Sequence, residues 1–269
     1  MRVVGVQYDI AWEDKAANAA RVRSLLASSR VEPGSLIVLP EMFSTGFSMD
    51  VAGIDEGAAG AGESFLRETA RRLGAAVLGG VVTRAADGRG RNQAVLVAPG
   101  GEEIARYTKI HPFSHAGETD HYAGGTDVVV VEWGGARLGL FICYDLRFPE
   151  AFRAAVARGA EVLVVIANWP EPRADHWHAL LRARAIENQA YVVGVNRIGA
   201  DPNVSYAGGS VVVEPRGRLV ADAGGEEGLV RAKLDLAALR RYREEFPALA
   251  DRKRDWVRRQ GPPEAARGT

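Results

Sequence analysis

Short runs of apolar residues on consecutive positions recur along this chain, and they constrain its fold more than any other feature. Val3-Val4-Gly5-Val6, Leu36-Ile37-Val38-Leu39, Ala76-Val77-Leu78 and Ala94-Val95-Leu96-Val97 read as strands, as do residues 128–131, 138–142, 162–166, 191–195 and 210–213. A strand with one wet face alternates apolar and polar side chains. These runs do not alternate, so both of their faces are covered. Between them lie segments of helical period: residues 16–29, with Ala19, Val22, Leu25 and Leu26 on one face, then 63–73, 149–158 and 175–189. In the last of these Trp177, Leu180, Leu181 and Ile186 keep a spacing near 3.6. Helix-strand alternation with hairpin-like segments between predicts an α/β sandwich: two mixed sheets flanked by helices. Gly134-Gly135 and Gly224-Gly225 read as hairpin turns. No internal repeat and no linker divides the chain, so residues 1–246 are expected to form a single domain. Residues 247–269 read as a tail, either solvated or an arm anchored by Trp256 on a second subunit.

Composition narrows the partners. Lys+Arg and Asp+Glu both total 34 in 269 residues, so no net charge draws the chain to nucleic acid or to an anionic membrane. One cysteine excludes an intrachain disulfide and fits a reducing compartment. No apolar run approaches the ~20 residues of a membrane span, and the N-terminus enters a strand pattern at once, without a signal-peptide core. The expectation is a soluble, cytoplasmic protein.

Three strand ends carry candidate chemistry. Cys143 stands where Leu138-Gly139-Leu140-Phe141-Ile142 meets Phe148-Pro149-Glu150-Ala151, which reads as the first turn of a helix. A lone cysteine in an apolar setting is commonly a small buried hydrophobe. At a strand-to-helix turn it is also held by rigid elements near backbone N–H groups that favour negative charge. Glu41 follows Ile37-Val38-Leu39-Pro40, at the sheet edge where α/β proteins place their sites. Lys109 ends a strand-like stretch in Arg106-Tyr107-Thr108-Lys109-Ile110-His111-Pro112-Phe113, and Glu118 follows in a loop. Taken singly, each of these charges passes for a solvated side chain.

Together, in the order Glu, Lys, Cys, these motifs resemble the nitrilase superfamily of carbon–nitrogen hydrolases. The resemblance runs from Val4-Gly5-Val6-Gln7 to about Leu236, and the tail is its least matched part. It rests on Leu39-Pro40-Glu41-Met42-Phe43-Ser44-Thr45-Gly46-Phe47, Lys109-Ile110-His111-Pro112-Phe113 and residues 142–150, with Ala167-Asn168-Trp169-Pro170 and 181–188 as further matches. It implies an αββα sandwich, a Glu41, Lys109 and Cys143 catalytic set, no cofactor, a supporting role for Glu118 and assembly into a homodimer or higher homo-oligomer. The surroundings of Glu41 and Lys109 look most like the omega-amidase branch, which acts on monoamides of 2-oxo dicarboxylic acids. Other amidases of the superfamily, N-carbamoyl hydrolases and nitrilases share the triad. A more distant alternative is a non-catalytic protein that keeps Cys143 as an oxidisable thiol.

The chemistry required is consistent with these residue types. An amide is a poor electrophile, so a thiolate nucleophile is expected from Cys143, with its ordinary pKa of ~8.5 lowered by a nearby Lys109. Lys109 and the Tyr144 backbone N–H would hold the oxyanion. Glu41 would move the protons. A 2-oxo acid carries a carboxylate suited to an arginine fork, and Arg147 and Arg173 are both candidates. Asp145 and Glu150 read as braces of the turn, while Arg147 is open between bracing and binding. Phe43, Phe113 and Trp169 are candidate walls of a small pocket. His111, His115 and His121 form a loose cluster broken by Pro112 and Gly117, and His176 and His178 point apart on a helix, so no metal site is expected.

Overall fold

The computed structural model describes residues 1–55 and 60–253. The first half of the chain forms β1 (Arg2–Gln7), α1 (Lys15–Ala27), β2 (Leu36–Val38), α2 (Val51–Ile54), α3 (Ala61–Leu73), β3 (Ala76–Arg84), β4 (Gly90–Val97), β5 (Glu103–Thr108) and α4 (Glu118–His121). The second half forms β6 (Val129–Trp133), β7 (Ala136–Ile142), α5 (Pro149–Ala157), β8 (Val162–Ala167), α6 (Ala174–Asn188) and β9 (Tyr191–Asn196). It continues through β10 (Ile198–Ala200), β11 (Ser205–Ala207), β12 (Val211–Val213), β13 (Leu219–Asp222), β14 (Gly228–Lys233) and α7 (Leu236–Glu245).

Two six-stranded mixed sheets result, in the orders β14-β1-β2-β3-β4-β5 and β13-β12-β9-β8-β7-β6, with β10 and β11 as a separate ribbon. In the first sheet β1, β2 and β3 run parallel, and β14, β4 and β5 are antiparallel to their neighbours. In the second, β7, β8 and β9 run parallel, with β6, β12 and β13 antiparallel. The two sheets therefore share one plan, although the sequence contains no detectable repeat.

Residue alternation explains why the runs are continuously apolar. In β2 and the residue after it, Leu36 and Val38 enter the core shared with the second sheet, whereas Ile37 and Leu39 pack with Val22, Leu26, Phe65 and Leu66 of α1 and α3. β2 thus feeds two apolar layers, and neither of its faces takes a polar alternate. On the far side α5 and α6 cover the second sheet through Phe152, Ala155, Trp177 and Leu181. Ile186, assigned from its spacing to the buried face of α6, is instead 51% exposed. Arg184 and Asn188 share the buried face in its place.

The turn glycines divide. Gly134 and Gly135, both at positive φ, join β6 to β7 as the expected two-residue hairpin. Gly224-Gly225 does not close a hairpin, because β13 belongs to the second sheet and β14 to the first. The sequence shows a turn there but not which sheet receives the next strand. In the tail, residues 247–253 are described and continue from α7, while Trp256 lies outside the described residues. Among the described residues no helix is long and apolar enough to cross a membrane.

Candidate active site

Cys143 leaves the end of β7, a strand buried on both faces, and adopts φ +47° before a 3₁₀ turn spanning Cys143–Arg147. A non-glycine residue in this region costs on the order of 1–3 kcal/mol, so its surroundings must fix it. Asp145 does so. One of its oxygens accepts from the Ile142 N–H at 3.0 Å and the Tyr107 hydroxyl at 2.7 Å; the other accepts from the His111 N–H at 3.0 Å and meets His111 Nδ1 at 2.8 Å. The brace expected of Asp145 is present, and it ties the Cys143 turn to the loop after Lys109. Glu150 has no such partner among the described residues and sits exposed in the first turn of α5, where a carboxylate suits the positive end of the helix. The Tyr144 N–H lies in the first turn of the 3₁₀ segment and has no acceptor within it.

Glu41 and Lys109 converge from two strand ends of the first sheet. Glu41 is 0% exposed, Lys109 1% and Glu118 0%. Lys109 Nζ donates to Glu41 Oε1 at 3.0 Å and to Glu118 Oε2 at 2.8 Å. Asn92 Nδ2 donates to both carboxylates, at 2.7 and 3.0 Å. Asn168, beyond β8, donates its backbone N–H to Glu41 Oε2 at 2.8 Å and its side-chain amide to the Glu41 carbonyl at 2.7 Å. Buried charges persist only when paired and hydrogen-bonded, and here every charge is. The backbone at Glu41 is fixed from beneath: a Cβ on Gly80 would stand 2.4 Å from the Met42 nitrogen and 2.6 Å from the Glu41 Cα.

The Cys143 thiol, 7% exposed, is the buried neighbour of this group, close enough for Glu41 and Lys109 to act on its ionisation. Its Sγ also faces the Asn168 carbonyl at 3.7 Å. Burial pushes the thiol well above its ordinary pKa and the Glu41 carboxylate adds to that; Lys109 pulls it down but does not prevail. This corrects the expected thiolate. The resting group keeps its proton first because it is buried, and then because Glu41 and Glu118 set negative charge against that of Lys109. For Lys109, burial acts to lower the pKa, but the carboxylates of Glu118 and then Glu41 outweigh it and hold the ammonium above its ordinary value.

A cavity of ≈ 400 Å³ opens over Cys143, and Phe113, Tyr144, Arg147, Trp169, Arg173 and Tyr206 are among its walls. Phe113 and Trp169 stand where the sequence reading put them. Phe43 does not: it is fully buried on the helix side of the first sheet, 5.5 Å from the Phe65 ring. Phe47 lines the cavity instead, with its ring 5.3 Å from Lys109 Nζ. Three residues separate the two phenylalanines, and a turn in which the Thr45 and Gly46 N–H groups donate to the Met42 carbonyl, with Gly46 at φ +76°, reverses the chain between them.

A family model for the carbon-nitrogen hydrolases matches residues 2–244. The chain belongs to the carbon–nitrogen hydrolase family. It is 42% identical to Omega-amidase YafV of Yersinia enterocolitica, over 93% of this chain and 96% of that one. It is 35% identical to the 2-oxoglutaramate amidase of Bacillus subtilis over the same shares. A CN-hydrolase superfamily protein from Xanthomonas campestris, solved with an arsenic adduct in its active site, superposes with a TM-score of 0.88 at 36% identity, covering 94% of this chain and 97% of that one.

Two contributors to this hydrolase's site escaped the sequence reading. Asn92 lies inside β4 between Arg91 and Gln93, before the apolar run Ala94–Val97, so the sequence offered no signal for it. Asn168 sits in the Ala167-Asn168-Trp169-Pro170 motif, but nothing in the motif shows that its partner is Glu41, 127 residues earlier.

Proposed function

We propose that this hydrolase is an omega-amidase that cleaves the amide of 2-oxo dicarboxylate monoamides such as 2-oxoglutaramate and 2-oxosuccinamate and releases ammonia. The observation that carries the reading is the meeting of the Cys143 thiol, the Glu41 carboxylate and the Lys109 ammonium beside one cavity. The names of its relatives give the substrate class.

Glu41 takes the thiol proton as Sγ attacks the amide carbon, so the thiolate exists only as the bond forms. Such coupling suits a thiol raised above its ordinary pKa. Charge then develops on the former carbonyl oxygen, where Lys109 Nζ and the Tyr144 N–H stabilise it. Collapse of the tetrahedral intermediate breaks the C–N bond, and Glu41 hands its proton to the departing nitrogen, which leaves as ammonia. A Cys143 thioester remains. Water attacks it while Glu41 accepts the water proton, and the proton returns to sulfur as the carboxylic acid leaves. Glu118 supports the cycle by keeping Lys109 charged and aimed. Asn92 and the Asn168 N–H hold the Glu41 carboxylate in position. The scheme calls on no cofactor.

The same reading takes residues 1–246 as one hydrolase domain of a cytoplasmic homodimer or higher homo-oligomer, with 247–269 as a tail; light scattering on the full chain and on a chain ending at 246 tests whether the tail contributes to assembly. The activity is tested by ammonia release from 2-oxoglutaramate and 2-oxosuccinamate beside glutamine, asparagine, an N-carbamoyl amino acid and a simple nitrile. Turnover confined to the two oxo-amides supports the assignment. Activity only on another member of the panel keeps the Glu41–Lys109–Cys143 chemistry and discards the substrate.

A further inference from the structure

The cavity over Cys143 contains more positive charge than its own residues neutralise. Two guanidiniums, Arg147 and Arg173, line it against a single carboxylate, Asp201. Asp201 is already engaged: one oxygen accepts the Asn203 and Val204 N–H groups at 2.7 and 2.9 Å, and the other accepts the Tyr206 hydroxyl at 2.5 Å. Neither arginine forms an ion pair with a described residue. Both are held on aromatic faces: Arg147 lies 4.8 Å from the Trp169 ring and 6.0 Å from Tyr144, and Arg173 lies 5.7 Å from Phe113.

The two differ in what they have left to give. Arg147 turns Nη2 to His176 Nδ1 at 3.3 Å and packs between two rings, so it is part of the wall. The Arg173 guanidinium makes no hydrogen bond to any described residue, while its backbone is pinned by the Trp169 indole N–H, which donates to the Arg173 carbonyl at 2.7 Å. It therefore combines a fixed root with a full fork of donors, which is what bidentate capture of a carboxylate requires.

We propose that Arg173 is the specificity-determining residue that binds the free carboxylate of the substrate while its amide carbon meets Cys143. The inference rests on the omega-amidase reading and deepens it. Ammonia release by the full-length enzyme on 2-oxoglutaramate and on pentanamide, a neutral amide without the carboxylate, supplies the test. The wild type prefers the acid. In Arg173→Leu that preference, the ratio of the two kcat/KM values, falls ~30-fold or more, as loss of one partner of a desolvated charge pair does elsewhere. The fall appears mainly in KM, and Arg173→Lys recovers part of it. An unchanged ratio, both substrates falling alike, or a fall in Arg147→Leu but not in Arg173→Leu overturns the assignment. A wild type without preference for the acid overturns the omega-amidase reading as well, and is distinguishable because no variant is needed to see it.

Discussion

The two sheets of this hydrolase follow the same strand plan and contribute opposite chemistry. The middle parallel strand of the first, β2, runs out into Glu41; that of the second, β8, runs out into Asn168. These equivalent strand ends hydrogen-bond to one another across the sandwich. The first sheet supplies the buried cluster of Glu41 and Lys109, with Glu118 following, and pairs it internally. The second supplies the thiol of Cys143 and the Asn168 donors, with Asp145 bracing the turn and Arg147 and Arg173 on the cavity wall. The lesson is that the Lys109 charge is buried beside counter-charges from its own layer, while the opposite layer presents a thiol that, in the proposed mechanism, keeps its proton until Glu41 takes it.

The division can be broken most severely from the second sheet. Cys143→Ala removes the nucleophile and is expected to lower turnover to ~10⁻⁴ of wild type or less, with the circular dichroism spectrum unchanged; activity of a few per cent would exclude the thioester route. Next comes the cation of the first sheet. Lys109→Met is expected to cost about 10²–10³-fold in kcat and about 3–5 kcal/mol of stability, since two buried carboxylates then face each other unneutralised. Urea denaturation and steady-state rates measure both, and a near-normal kcat would take Lys109 out of the mechanism.

Smaller substitutions sharpen the comparison where the sheets touch. Asn168→Ala keeps the backbone donor to Glu41 and loses the side-chain one, a change of about 1–3 kcal/mol. If it acts by positioning Glu41, kcat falls while KM holds; a fall in KM-governed rates alone would place Asn168 on the substrate. Gly80→Ala pushes a methyl group against the Glu41 and Met42 backbone and is expected to destabilise by about 1–3 kcal/mol. An unchanged melting temperature would mean that this strand end yields freely.

The smallest effect is one of pH. The unfolded thiol ionises near ~8.5, while the folded one, raised by burial and by Glu41, keeps its proton. Above that pH the folded state therefore binds more protons than the unfolded, and stability falls as pH rises, by at most about 1.4 kcal/mol per unit. Cys143→Ala lacks this contribution, so the wild type should lose stability relative to it between pH 8.5 and 9.5. A difference that stays constant would show that the thiol is not raised. Lys109, whose pKa is also raised, stabilises the fold throughout the range below its unfolded value of ~10.4 and contributes no slope there.

Much of this was legible in the chain. The continuous apolar runs marked strands covered on both faces, and the strand ends marked Glu41, Lys109 and Cys143. Strands such as β13 and β14 escaped because their residues are half exposed and carry charges, as in Leu219–Asp222 and Gly228–Lys233. Glu118 looked like any loop carboxylate until Lys109 Nζ was found 2.8 Å away. Phe43 and Phe47 could not be ranked, since both are apolar aromatics near one strand end and only the turn through Gly46 separates core from cavity.

What the sequence determined by itself was local: periodicity, the placing of reactive side chains at strand ends, and the helix that begins at Pro149. Each depends on neighbours a few positions apart. What the tertiary structure alone decided was charge state and partnership: that Lys109 is spent on two carboxylates, that Cys143 rests as a thiol, and that Asn92 and Asn168 hold Glu41. Those outcomes depend on distances of about 3 Å between residues from 9 to 127 positions apart. Only the packing of one sheet on the other sets such distances.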